Sequence, residues 1–244
     1  MTEPLNPARP VRVKNDVDGI LLVDKPSDWT SFDVLNMMKH RFSVRKIGHC
    51  GTLDPMATGL LVVLLGKATK LQDSLMGGEK EYLGSLRLGM ETDTEDSTGN
   101  VTATADWSGV TLERAQEVAR SFLGEIEQIP PMMSAIKLHG KPLYKLARKG
   151  VTVERKARPV TIRAFDFTEV ALPEISFRVQ CSKGTYIRTL CADFGHRLGC
   201  GACMTALRRT RSGEFSLADA LPVETLQNAD LEELREFCRK KWTE

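Results

Sequence analysis

The chain has 244 residues, 41% hydrophobic and 27% charged, with a net charge of +2; this is ordinary globular composition, argues against disorder, and comes with no internal repeat or low-complexity tract. No apolar run approaches the roughly 18 residues a membrane helix needs, and Met1–Asn15 lacks the apolar core of a secretory signal. Six cysteines in a chain this long, without an export signal, are expected to be reduced thiols of a cytoplasmic protein.

In chain order, Gly19–Asp24 reads as a short strand stopped by Lys25-Pro26. Thr30 caps a helix, with Asp33 at the capping-box position and an apolar stripe of Phe32, Leu35, Met38 and Phe42. Gly48–Gly59 reads as a loop rich in breakers. Leu60–Leu65 is apolar on both faces and so belongs in the middle of a sheet. Ala68–Met76 is a short helix ending at Gly77-Gly78. Tyr82–Leu88 alternates, with Tyr82, Leu86 and Leu88 on one face. Gly89–Gly99 is an acidic, Thr-rich loop. Thr111–Leu123 is an amphipathic helix with Leu112, Ala115, Val118, Ala119 and Phe122 inward.

Pro130-Pro131 breaks the chain before a basic stretch with a short helix near Pro142–Arg148. Val160–Val170 and Ile175–Cys181 read as strands. The spacing of Ile187, Leu190, Cys191, Phe194 and Leu198 predicts a helix ended by Gly199. Ala206–Arg211 is a further strand and Asp230–Lys240 a closing helix. Without a strict βαβ rhythm, this mixture points to an α+β or mixed-sheet domain. Charge is unevenly spread: Lys137–Arg163 holds nine Lys/Arg against Glu154 alone, whereas Glu79–Glu127 holds eleven acids against four bases. That asymmetry suits either a polyanion-facing surface or a solvated loop.

Several residues invite chemistry, each with a plainer alternative. Asp54 before Pro55, taken alone, reads as a helix N-cap with Pro at the first helical position. His49 alone reads as a structural or surface histidine. Thr185 is a plausible N-cap, placing Arg188 in the first helical turn, where a cation is disfavoured. A partly buried Arg there needs a carboxylate: Asp54 or Asp96 from the polar loops, or else Asp193 or water. Tyr82 reads as a core tyrosine with a satisfied hydroxyl. Cys200-Gly201-Ala202-Cys203 has no second CxxC, so metal binding is not expected. No P-loop, dinucleotide fingerprint, Ser-nucleophile elbow or HExxH is present.

Six ordered segments carry a resemblance. GHCGTLDPMATGLL (Gly48–Leu61) closely resembles the catalytic motif of the TruB family of tRNA pseudouridine synthases. GILLVDKPSDWTS (Gly19–Ser31), Lys80-Glu81-Tyr82 with TDTED (Thr92–Asp96), PPMMSAIK (Pro130–Lys137) with GKPLY (Gly140–Tyr144), CSKGTYIRTLCADFG (Cys181–Gly195) and ALRRTRSGEF (Ala206–Phe215) resemble the family's other motifs in its order. The resemblance implies a pseudouridine synthase fold: a mixed, mostly antiparallel central sheet flanked by helices, with a basic RNA-binding insertion at about 130–159. The breakpoints Pro130-Pro131, Gly140 and Gly150 and the repulsion of its like charges predict that this segment is mobile until RNA orders it. It implies isomerisation of the T-loop uridine of tRNA (position 55 in tRNA numbering), with no cofactor, metal, membrane or protein partner.

The resemblance further implies that Asp54 is the essential carboxylate, Arg188 its partner, and Tyr82 the ring that stacks on the target uracil. His49 would fill the stack left by the flipped base. Tyr186 and Leu207 would line the pocket, Lys25 and Asp96 would support it, and Lys141 and Tyr144 would contact substrate from the basic stretch. Two positions depart from the family pattern: Cys50 stands where Thr is common, and Cys203 where bacterial members often have His. Family members commonly continue into an RNA-binding domain of the PUA type. About thirty residues follow the last motif, so a short form with one catalytic domain is expected. Two other readings are a tRNA-binding folding chaperone and a guide-RNA-dependent relative of the archaeal and eukaryotic type.

Overall fold

The computed structural model describes residues 14–134, 136–138, 140–147 and 149–242. Along the chain run β1 (Gly19–Lys25), α1 (Ser31–Phe42), β2 (Ile47–Cys50), β3 (Thr58–Leu65), α2 (Gln72–Met76, after a 3-10 turn over Gly66–Leu71), β4 (Lys80–Leu88), β5 (Met90–Thr92) and β6 (Val101–Thr104). Then come α3 (Leu112–Arg120), β7 (Gly124–Gln128), β8 (Lys137–Leu138), β9 (Lys141–Pro142), α4 (Leu143–Ala147), β10 (Arg158–Ala171) and β11 (Glu174–Cys181). The last elements are α5 (Ile187–Leu198), β12 (Ala202–Ser212), β13 (Phe215–Ser216), β14 (Leu221–Pro222), α6 (Val223–Asn228) and α7 (Leu231–Trp242). No helix among the described residues is long and apolar enough to cross a membrane.

Ten strands form the main sheet, in the order β14-β1-β3-β12-β4-β11-β10-β7, with β2 on β3 and β13 on β12. It is mixed and mostly antiparallel; only β1–β14 and β3–β12 run parallel. β1 and β3 are buried on both faces, which is why both read as unbroken apolar runs. Ile20, Leu22, Leu60, Val62 and Leu64 pack together on one face. Leu21, Val23, Leu61, Val63 and Leu65 meet α1, α6 and α7 on the other. Each such side chain contributes about 1.5–3 kcal/mol by leaving water. β4 alternates as expected, burying Tyr82, Leu86 and Leu88 against β11, β12, α3 and α5.

α1 starts where its capping box dictates: the Thr30 hydroxyl accepts from Asp33 N (3.0 Å) and the Asp33 carboxylate accepts from Thr30 N (2.8 Å). Gly199, with φ 86°, ends α5 in the left-handed conformation. Several expectations need correction. Phe32 is 64% exposed, and Val34 takes its place in the buried stripe; Leu112 is 40% exposed. The expected loop Gly48–Gly59 is strand at both ends, since β2 adds to the free side of β3. β5 and β6 pair as a hairpin inside and beyond the acidic loop. β12 begins at Ala202, which places Cys203 in a strand.

Candidate active site

β3 and β12 pair over only two residues, Thr58–Gly59 against Arg208–Arg209. β3 starts at Thr58, so this contact stands at the end of the loop that carries Asp54. Gly59 has φ 96°, and a Cβ on it would overlap the Arg209 carbonyl, so this approach requires glycine. The loop is tied to the segment before α1. Ser31 Oγ accepts from Leu53 N (2.9 Å) and donates to Leu53 O (3.2 Å), while Asp28 N donates to Pro55 O (2.9 Å). Asp54 caps no helix; its carbonyl accepts from Ala57 N in a tight turn. The N-cap reading of Asp54 is therefore wrong.

Freed from capping, the Asp54 carboxylate faces Arg188. Arg188 Nε donates to Asp54 Oδ2 (2.8 Å) and Nη2 to Asp54 Oδ1 (3.3 Å), a bidentate pair. The Arg188 side chain is 4% exposed and that of Asp54 36%, so a buried cation holds a partly exposed carboxylate. Of the partners left open by the sequence, the structure uses both loop acids, since Asp96 Oδ2 lies 3.6 Å from Arg188 Nε. Nη1 and Nη2 also donate to the Thr94 and Met133 carbonyls (2.8 and 2.9 Å). Asp96 is held in turn by Thr94 Oγ1, Thr98 N and Thr98 Oγ1. Arg188 thus joins the Asp54 loop, the acidic loop and the base of the basic stretch.

Thr185 is not the cap of α5. Its hydroxyl donates to Ser182 O, and Tyr186 is the N-cap. The Tyr186 backbone is clamped by buried Gln128, whose amide accepts from Tyr186 N (2.8 Å) and donates to Tyr186 O (3.1 Å). Gln128 and Ser31 are supporting residues the sequence reading missed; the only hint was a polar side chain at the buried end of each element. Tyr82 and Leu207 lie in one apolar cluster with Leu53 and Ile187, the neighbours of Asp54 and Arg188 in sequence. Burial pushes the Tyr82 and Tyr186 phenols up. His49 sits on β2 against β3, two residues before Gly51, its imidazole pushed down by burial and then by Arg209.

Lys141 is exposed on the β8–β9 hairpin and joins none of these groups. The Tyr144 side chain lies outside the described residues. All six cysteines are free and buried. Among the described residues no group of His, Cys, Asp and Glu side chains could hold a metal ion.

Comparison with known proteins matches the chain to a family. Residues 39–187 match the model of the TruB family pseudouridylate synthase (N terminal domain), and residues 188–239 that of the tRNA pseudouridylate synthase B C-terminal domain. The tRNA pseudouridine synthase B of Opitutus terrae is 46% identical, over 92% of this chain and 93% of its own length. The chain belongs to the TruB family. The Haemophilus influenzae member is 46% identical over 90% of this chain and 70% of its own. Two solved structures are also similar: a Cbf5-Nop10-Gar1 complex (TM-score 0.69, 31% identity) and an H/ACA RNP bound to a substrate RNA (TM-score 0.67, 28% identity). Each match covers 91% of this chain, which spans 59% and 58% of those solved chains.

Lys25 is the other buried cation that reaches the Asp54 loop. It is fully buried, and Nζ donates to the carbonyls of Pro26 (2.9 Å), Trp29 and Pro55 (3.1 Å). Burial pushes its ammonium down from 10.5 to about 8, against the pull of Asp54. A neutral amine has two protons for three carbonyls, so the Pro55 tie should loosen as pH rises through about 8. Turnover is expected to fall across that range. The fold should not weaken from this group: its folded pKa lies below its unfolded one, so the cost of the buried charge is full below pH 8 and is relieved between 8 and 10.5. A pH–rate profile beside thermal melts checks this, and Lys25→Met should remove the limb near pH 8.

Proposed function

We propose that the chain isomerises the T-loop uridine of tRNA, position 55 in tRNA numbering, to pseudouridine in the cytoplasm, without cofactor, metal or protein partner. The observation that carries the reading is the partly exposed Asp54 carboxylate, held by buried Arg188 beside an apolar cluster that includes Tyr82 and Leu207. Breaking a C–N glycosidic bond and forming a C–C bond needs a placed carboxylate and a site that holds the detached uracil while it turns. Asp54 is the carboxylate that acts on the ribose or the base. Arg188 holds it in place and balances its charge. Tyr82 stacks on the uracil, Tyr186 and Leu207 close the pocket, and Lys25 and Asp96 hold the loops.

The target base must leave its stack, which costs a few kcal/mol. Stacking on Tyr82 returns about 1–3 kcal/mol, and His49 fills the vacated place. Phosphate contacts from the basic stretch, Lys141 and Tyr144 included, supply most of the remaining affinity. Incubation with a modification-free T-arm stem-loop, followed by mapping of pseudouridine, tests the reading: a single modified uridine is expected. Binding should also weaken steeply with salt. Lys141→Ala should reduce the slope of log K against log salt by about 0.7–0.9 without changing which uridine is modified. A filter-binding series in salt, with mapping of the product, measures both.

A further inference from the structure

The ion pairs and apolar cluster leave one large buried group unused. Arg209 on β12 is 1% exposed and among the largest fully buried side chains of the protein. Among the described residues it forms no ion pair; Asp54 and Asp96 pair with Arg188 instead. Its nearest charged company includes Lys25 and Lys80, whose ammonium groups it helps to push down. A buried cation with no carboxylate costs several kcal/mol, and an apolar side chain of similar length would fill the space without that cost. Packing therefore does not account for a guanidinium here. What it touches does.

Arg209 is the direct cross-strand partner of Tyr82, so both side chains leave the same face of the sheet at adjacent places. Its Nε donates to Leu60 O on β3 (2.7 Å) and its Nη2 to Gly51 O (3.1 Å), three residues before Asp54. A Cβ on Gly51 would stand 3.3 Å from Nη1, so the loop closes tightly over the guanidinium. One rigid fork thus meets the strand carrying Tyr82, the start of the Asp54 loop and the strand that follows it. We infer that Arg209 is a positioning residue of the reaction, fixing the Tyr82 ring and the Asp54 loop relative to one another. The inference rests on the proposed reading of Tyr82 and Asp54 as reaction groups.

Electrostatics agrees with the geometry. Burial pushes the Tyr82 phenol up, Arg209 draws it back down, and Cys181 and Asp54 act against Arg209. Arg209 should therefore set both the orientation of the Tyr82 hydroxyl and the ease with which it ionises. A residue that merely fills space would do neither.

The test uses the full chain labelled at tyrosine Cζ, with the three tyrosines assigned by single Tyr→Phe variants. In Arg209→Gln the ionisation midpoint of Tyr82 should move up. The single-turnover rate on a T-arm stem-loop should fall about 10- to 100-fold, the scale of an ångström's misplacement, with RNA affinity within about twofold of the parent. If Arg209→Gln fails to fold, Arg209→Lys takes its place. Lysine keeps the charge but not the planar fork, so the rate should still fall at least about tenfold. Parental turnover in either folded variant, or a lost rate with the Tyr82 midpoint of Arg209→Gln unmoved, would overturn the inference. Failure of the wider reading looks different: the parent protein would form no pseudouridine at all.

Discussion

Asp54→Asn is expected to fold as the parent does, bind a T-arm stem-loop with parental affinity, and form no pseudouridine. The fold should survive because Asp54 caps no helix and its side chain is only partly buried. Arg188 keeps the Asp96 carboxylate and the carbonyls of Thr94 and Met133 when the charge on Asp54 is removed. Asn can still accept one hydrogen bond from the guanidinium. Chemistry should not survive, because an amide is a poor nucleophile and carries no charge to balance a developing cation. Loss of a group that bears the bond-making step costs on the order of 10⁴-fold or more. Near-parental turnover with an unchanged melting temperature would reject Asp54 as the reacting group. Asp54→Glu should fail as well, since one methylene displaces the carboxylate by over an ångström, a loss on the order of a hundredfold.

Arg188→Met should be worse for the fold and nearly as damaging to the reaction. The substitution leaves Asp54 and Asp96 facing a site without its cation and orphans the Thr94 and Met133 carbonyls. Breaking a buried pair by removing one partner costs about 3–5 kcal/mol, and the low end applies because Asp54 retains water on one side. A loss of about 3 kcal/mol in a domain of this size lowers Tm by roughly 6–12 °C. Turnover should fall at least about 10²–10³-fold, the usual effect of deleting one preorganised electrostatic partner. Arg188→Lys should recover stability better than activity. A point charge can sit near both acids but cannot hold Asp54 by two parallel bonds. Thermal melts and single-turnover rates on the same preparations measure both effects.

Much of this arrangement was legible in the sequence, and the misses have physical reasons. β1 and β3 announced themselves because two-sided burial leaves an unbroken apolar run. The Thr30–Asp33 box fixed the start of α1 because it is local, as was the spacing of α5. β2 was invisible: IGHC has no strand pattern of its own and forms only because β3 offers a free edge. β7 was missed because GEIEQ lies at the sheet edge, where mostly exposed positions, Glu125 and Glu127 among them, suit a strand with one neighbour. The error over Thr185 has the same root. Residues 187–198 demanded a helix, but its first turn is held by Gln128, 58 residues away.

The site divides along the same line. Residue types and order reached Asp54, Arg188, Tyr82 and Lys25 through the family resemblance. Read from the residues alone, the pairing of Arg188 stayed open between Asp54, Asp96, Asp193 and water, and only the resemblance named Asp54, since residues 134 apart in the chain meet only once the loops are folded. That both acids share one guanidinium could not be read from either loop. Arg209 was quoted within a motif and given no role. Nothing local distinguishes it from exposed Arg211 two residues on, and only its place opposite Tyr82 and beneath Gly51 does.

The most direct measurement follows from the atoms that move. Forming the new bond at C5 of uracil displaces the hydrogen there, so a T-arm stem-loop carrying tritium at C5 of the target uridine reports the reaction itself. The parent protein, without metal or partner, should release one equivalent of tritium per stem-loop, and Asp54→Asn should release none while binding the same RNA. Equal release by the two proteins, or none by a parent that binds the RNA, would contradict Asp54-dependent isomerisation.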